Sequence, residues 1–168
     1  MLYLRDLPKY EAIEQRAKRY PDIDPGAVVS YLVLLRVAQD VLDVTEDFLA
    51  DHNMSHGRFA VLMLLNRDPD KPVSPSELAA KSGVTRATMT GLLDGLERDK
   101  LVNRQPDRED RRMLLVELTP KGRKILDSML PDYYRLVAAI MKQLGRDQKK
   151  VLVELLEKIN ASLATLIQ

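Results

Sequence analysis

The chain contains no cysteine. That excludes a disulfide framework, a thiolate zinc site and any sensing of oxidants through the protein's own thiols. Long apolar runs are missing too. The longest, Val28 to Leu35, is interrupted by Ser30 and falls far short of the ~20 residues that cross a bilayer as a helix. Residues 1 to 20 alternate charged and apolar side chains and lack the apolar block of a secretory signal. Neither sign of charge dominates: 26 basic residues against 25 acidic ones leave a net charge of +1. Overall charge therefore draws the chain to no polyanion, and any affinity for nucleic acid has to come from where the charges sit. There is no glycine-rich phosphate loop, nucleophile elbow or framed carboxylate pair, so catalysis is not expected and no cofactor is implied. Repeats and low-complexity tracts are absent as well. The expectation is a soluble, cytoplasmic protein without membrane contact, sized for one compact domain or a small domain with helical attachments.

What is present is mostly helix. Tyr10, Ile13, Ala17 and Tyr20 recur at helical spacing over residues 9 to 20, and Pro21 closes the segment. Residues 27 to 51 are again helical but apolar nearly all round, from Val28 through Val37, which demands burial on more than one side. Shorter helices are expected over 56 to 66, 74 to 82 and 85 to 100, followed by strands at 101 to 105 and 113 to 118 around a polar turn. Thr119-Pro120 opens a long helix that Pro131 is expected to kink or break. Beyond Gly145 a final helix carries an apolar stripe from Val151 to Leu166. Surplus apolar helix at both ends suggests that the ends meet a second copy of the chain. The predicted fold is mainly α: a winged helix-turn-helix with long N- and C-terminal dimerisation helices and a two-stranded wing. Its parts are an extension with a short helix (1–26), a dimerisation helix (27–54), the winged helix-turn-helix (55–118) and C-terminal dimerisation helices (119–168).

The middle of the chain carries the function. Ser74-Pro75-Ser76-Glu77 reads as a capping box, in which Ser74 caps the helix and Glu77 reaches back to the cap nitrogen. Gly83 suits the left-handed corner of a tight helix-helix turn, and Thr85 caps the next helix. There Met89, Leu92, Leu93 and Leu96 share one face. The opposite face is Ala87, Thr88, Thr90, Gly91, Asp94 and Arg98, with Arg86 on the flank. Small residues in the first two turns let such a helix sit deep in a major groove, with Thr88, Thr90 and Arg86 toward bases or phosphates. Taken alone, this could equally be an ordinary helical hairpin with one solvated helix. The segment that follows makes the pattern specific. Two strands enclose Asp107-Arg108-Glu109-Asp110-Arg111-Arg112, a charged tip placed to reach phosphates or the minor groove beside the helix. The candidate DNA contacts are thus Thr85, Arg86, Ala87, Thr88, Thr90 and Arg98 on the helix and Arg108, Arg111 and Arg112 on the wing. Asp110 is assigned to orienting one of those arginines.

These residues give the chain its likeness to a family. Ser76-Glu77-Leu78-Ala79, Gly83 to Thr90, Leu92 to Glu97, Leu101-Val102, Asp107 to Arg112 and Leu118 to Gly122 together resemble the MarR family of transcriptional regulators, over about residues 27 to 168. The resemblance implies a dimer built from the terminal helices, bound to double-stranded DNA at a pseudo-palindromic operator. It also implies a repressor released by a small, often aromatic and anionic effector. Residues 1 to 26 exceed the common family length and are similar to the branch of urate-type regulators, which commonly has a tryptophan there; this chain has none. Many members have an arginine where this chain has Gly91, which shifts base readout toward Arg86, Thr88 and Thr90. A family effector pocket would lie near Arg58, whose guanidinium beside Phe59 could hold a carboxylate; the plainer reading is a helix-end charge in an intrachain pair. Arg36, Asp40 and Asp43 are further candidates. His52 and His56 are four apart, but Asn53-Met54-Ser55 reads as a helix break, so no metal site is expected. The alternative to a DNA-binding regulator is a winged interaction module that holds a protein partner; salt-dependent binding to duplex DNA separates the two.

Overall fold

Short polar side chains decide where the helices begin. Asp24, Ser55, Ser74, Thr85 and Thr119 each accept a hydrogen bond from the backbone N–H three residues on, at 3.0–3.3 Å, which satisfies a donor that no helical carbonyl can reach. Pro25, Pro75 and Pro120 stand just after three of these caps, where their fixed φ helps and their missing N–H costs nothing. The computed structural model describes residues 8–20, 22–68, 71–107, 110 and 113–166. Over these the order is α1 (Tyr10–Ala17), α2 (Pro25–Asp51), α3 (His56–Leu65), α4 (Pro75–Ser82), α5 (Arg86–Arg98), β1 (Val102–Pro106), β2 (Leu114–Leu118), α6 (Pro120–Ile140) and α7 (Arg146–Leu166).

Three local expectations need correction. α2 starts at Pro25, two residues before Ala27, because Asp24 and Pro25 form a cap-and-proline start. Pro131 does not break α6, which continues to Ile140 with Met129 buried before the proline and Leu130 and Tyr133 packed against the core around it. Packing on both sides outweighs the loss of one helical hydrogen bond. Glu77 turns its carboxylate forward to Lys81 Nζ at 2.7 Å; that hydrogen bond and the lysine's charge hold its pKa below the usual carboxylate range. The reciprocal cap bond expected at the start of α4 instead has a counterpart at α7, where the Gly145 N–H donates to Gln148 Oε1 at 2.8 Å.

The core gathers Leu49 of α2, Phe59, Leu62 and Leu65 of α3, Leu78 of α4, Met89, Leu93 and Leu96 of α5, Val102 and Val116 of the strands, and Leu126 and Met129 of α6. β1 and β2 pair antiparallel from Val102↔Leu118 to Pro106↔Leu114. Val73, just ahead of α4, adds a single bridge to Val116 through hydrogen bonds of 2.8 and 2.9 Å. Little of α2 and α7 takes part. Thr45 and Leu49 are the residues of α2 that become buried, and α7 buries none. Tyr31 and Val37 on α2, Tyr134 on α6, and Val151, Leu155, Ile159 and Leu163 on α7 all remain exposed. In the single chain both ends thus keep long apolar faces in water.

α5 ends in a Schellman turn: Leu101 N–H reaches Leu96 O at 2.9 Å and Lys100 N–H reaches Glu97 O at 2.8 Å, with Lys100 in the left-handed region at φ 61°. The start of α6 is pressed onto this turn. Thr119 donates from its N–H to Leu101 O at 3.1 Å and from its hydroxyl to Lys100 O at 2.7 Å. A Cβ at Gly122 would lie 2.1 Å from Leu101 O.

Candidate nucleic-acid interface

The turn between α4 and α5 and the faces of α5 are built as the sequence implies. Gly83 takes φ 65°. No atom lies within 4 Å of a Cβ built there, so the demand for glycine at this corner is conformational and not steric. Met89, Leu93 and Leu96 face inward. Arg86, Ala87, Thr88, Thr90, Gly91, Asp94 and Arg98 are all exposed, as is the cap Thr85. A Cβ at Gly91 meets nothing within 4 Å, so the middle of the outward face is open. Its hydroxyls are held in place by the helix itself. Thr85 and Thr88 share a hydrogen bond of 2.9 Å between their hydroxyls, and Thr90 donates to Arg86 O at 2.9 Å. Arg86 and Thr90 also line an open cleft with Ser74, Ser76, Met113 and Leu114, between the start of α4 and the base of the wing.

The wing's neck is closed by Asp107 N–H to Met113 O at 2.9 Å and Met113 N–H to Asp110 O at 2.8 Å. The Asp107 carboxylate accepts the Asp110 N–H at 3.5 Å. Asp110 thus contributes its backbone to the neck. Arg108, Arg111 and Arg112, the wing's candidate contacts, lie outside the described residues.

A polar cluster at the edge of the outward face centres on a residue that the sequence did not single out. Arg104 of β1 donates from Nη1 to Asp94 Oδ1 at 2.6 Å and to Glu97 Oε2 at 3.2 Å, and from Nη2 to Thr90 O at 3.3 Å. Its own N–H reaches Glu97 Oε1 at 3.3 Å. The available signal was strand alternation: Arg104 is two residues after buried Val102 and therefore points to the same side, toward α5. Arg58 pairs its guanidinium with the carboxylate of Asp99, the residue that ends α5, so the intrachain pair considered for it is present. Its Nε is buried without a hydrogen-bond partner. Lys121 Nζ donates to Asp99 O at 2.8 Å, which places a cation at the negative end of α5. His52 and His56 are separated by the predicted break, with Asn53 at φ 52° and Ser55 capping α3, and His52 Nδ1 bonds Phe48 O at 2.9 Å. Among the described residues no helix is long and apolar enough to cross a membrane.

Comparison with known proteins agrees with this geometry. The profile of the MarR family matches residues 54–114. The chain is 39% identical over 153 residues to the HTH-type transcriptional repressor YetL of Bacillus subtilis, spanning 91% of this chain and 92% of that protein. Among solved structures it is similar to a mutant MarR of E. coli complexed with operator DNA, at 26% identity and a TM-score of 0.69, covering 76% of this chain and 90% of the other. It is similar also to BpsR of Bordetella bronchiseptica, whose DNA binding is regulated by 6-hydroxynicotinic acid, at 26% identity and a TM-score of 0.66, covering 76% and 96%. These relatives are transcriptional regulators and not enzymes.

Proposed function

The chain belongs to the MarR family of DNA-binding transcriptional regulators, and on that footing we propose that it is a homodimeric, cytoplasmic repressor released by a small anionic effector. The observation that carries the reading is the outward face of α5: small, exposed, open at Gly91 and set beside the wing's neck. In this reading two copies of α5 enter successive major grooves of a pseudo-palindromic operator. Arg86, Thr88 and Thr90 read bases, while Thr85, Ala87 and Arg98 border them. Arg108, Arg111 and Arg112 hold phosphates or the minor groove, with Asp110 orienting one of them.

Dimerisation through residues 27–54 and 119–168 would cover the apolar faces of α2, α6 and α7 that one chain leaves wet. An aromatic carboxylate is the effector class that suits Arg58, since its buried Nε lacks a partner and its guanidinium already holds one carboxylate. A ligand that takes Arg58 from Asp99 would remove one of the contacts at the C-terminal end of α5, which Lys121 and the Schellman turn still hold, and so would couple the effector to the recognition helix through that ion pair. The test is a titration of the protein against duplexes selected from a random library, at several salt concentrations, with sedimentation of the same samples. Steeply salt-dependent binding by a dimer is expected. A stable monomer, or a protein that ignores duplex DNA at every salt concentration, would refute the reading and leave the winged fold to a protein partner.

A further inference from the structure

Two carboxylates are awkward on a helix meant to enter DNA. Asp94 and Glu97 sit one turn apart on α5, with their side chains 58% and 39% exposed. At about 8 Å in water each phosphate facing an unpaired carboxylate weakens binding about twofold, and a groove presents several phosphates. Arg104 meets this charge. Its side chain is only 19% exposed, and it touches α5 along one stripe, at Thr90 O, Asp94 and Glu97, three successive turns of the helix. A lysine could not do this, because a point charge on a flexible stem lacks the planar fork that reaches all three at once. The contact also ties β1, which leads into the wing, to the helix that carries Thr90.

We propose that Arg104 is a positioning residue for DNA recognition, which acts through Asp94 and Glu97 by offsetting their charge so that α5 meets the phosphates without two unpaired carboxylates. With Arg98 exposed nearby on α5, the two arginines bring this patch to charge balance against the two carboxylates. The inference rests on the DNA-binding reading above, and its test is built to fail separately from it. Binding of a library-selected duplex and of an unrelated duplex is followed by fluorescence anisotropy across salt, with circular dichroism on each variant. Arg104→Ala weakens binding to both duplexes by about tenfold at low salt, and the deficit shrinks as salt screens the exposed carboxylates. Adding Asp94→Asn and Glu97→Gln to Arg104→Ala restores most of the affinity, a rescue that a purely structural role would not give. In the unsubstituted background the Asp94→Asn, Glu97→Gln protein frees the guanidinium, binds the unrelated duplex several-fold tighter and depends more steeply on salt. Arg104→Ala binding as well as the unsubstituted protein overturns the proposal, as does a folded triple variant no better than the single one. Should Arg104→Ala fail to fold, the two-carboxylate variant decides: tighter binding upholds the proposal, and unchanged or weaker binding overturns it. An unsubstituted protein that binds neither duplex would refute the DNA-binding reading itself.

Discussion

Replacing Gly91 with leucine should push stability and function in opposite directions. Gly91 lies inside α5, where a non-glycine residue gains about 0.5–1 kcal/mol because less backbone freedom is given up on folding. Nothing within 4 Å obstructs a Cβ there, so no packing penalty offsets that gain. The added side chain points away from Met89, Leu93 and Leu96, into the space that a groove floor would occupy. Lifting the helix by even part of a leucine's length breaks base pairings in both half-sites. If the bidentate grip of Arg86 on a guanine is all that fails, at about 1–3 kcal/mol per half-site, the dimer is weakened by about 2–6 kcal/mol, which is roughly thirtyfold to beyond ten-thousandfold in affinity. A thermal melt should therefore rise while the anisotropy titration on a selected duplex collapses. A folded Gly91→Leu dimer with normal affinity would show that α5 is not the helix in the major groove.

Further outcomes follow from the wing and from the turn behind α5. Arg111→Ala and Arg112→Ala should each weaken binding to every sequence and flatten the plot of log affinity against log salt by about 0.9 for each phosphate no longer neutralised, and unchanged slopes in both would mean that the wing does not touch the backbone. Gly122→Ala should destabilise the protein by about 1–3 kcal/mol, since the new Cβ would sit 2.1 Å from a backbone carbonyl that the Schellman turn holds in place; a melting temperature within a degree of the unsubstituted protein would refute that clash. Lys100→Gly should instead gain about 0.5–1 kcal/mol, because relief of the left-handed strain at φ 61° exceeds the added unfolded-chain entropy. A lower melting temperature for Lys100→Gly would mean that its side chain contributes more than its backbone costs.

What could be read from the sequence was what depends on near neighbours. Ser55, Ser74, Thr85 and Thr119 announce helix starts because a cap and its partner are three residues apart. Met89, Leu93 and Leu96 announce a buried face because helical periodicity places them there. What escaped depends on partners far along the chain. Arg104 and Asp99 look like surface charges until the fold sets one beside Asp94 and Glu97 and the other beside Arg58. Val73 forms a one-residue bridge, too short to leave any alternation in the sequence. Even Glu77 misled, since Lys81 one turn on competes for the carboxylate that the cap nitrogen would use.

The junction of Leu101 with Thr119 and Gly122 has a mechanical side. It bolts the tail of α5 to the first turn of α6 through the backbone N–H and the hydroxyl of Thr119 and an approach too close for any Cβ. α6 is 21 residues long, which makes it an arm of about 32 Å at the α-helical rise. A tilt of about 10° at its far end would swing the bolted end by ~5–6 Å, more than the ~3.4 Å step between base pairs. Small angular changes among the terminal helices would then move the reading head by more than one letter of DNA, and Pro131, midway along the arm, sits where such a bend costs the fewest hydrogen bonds.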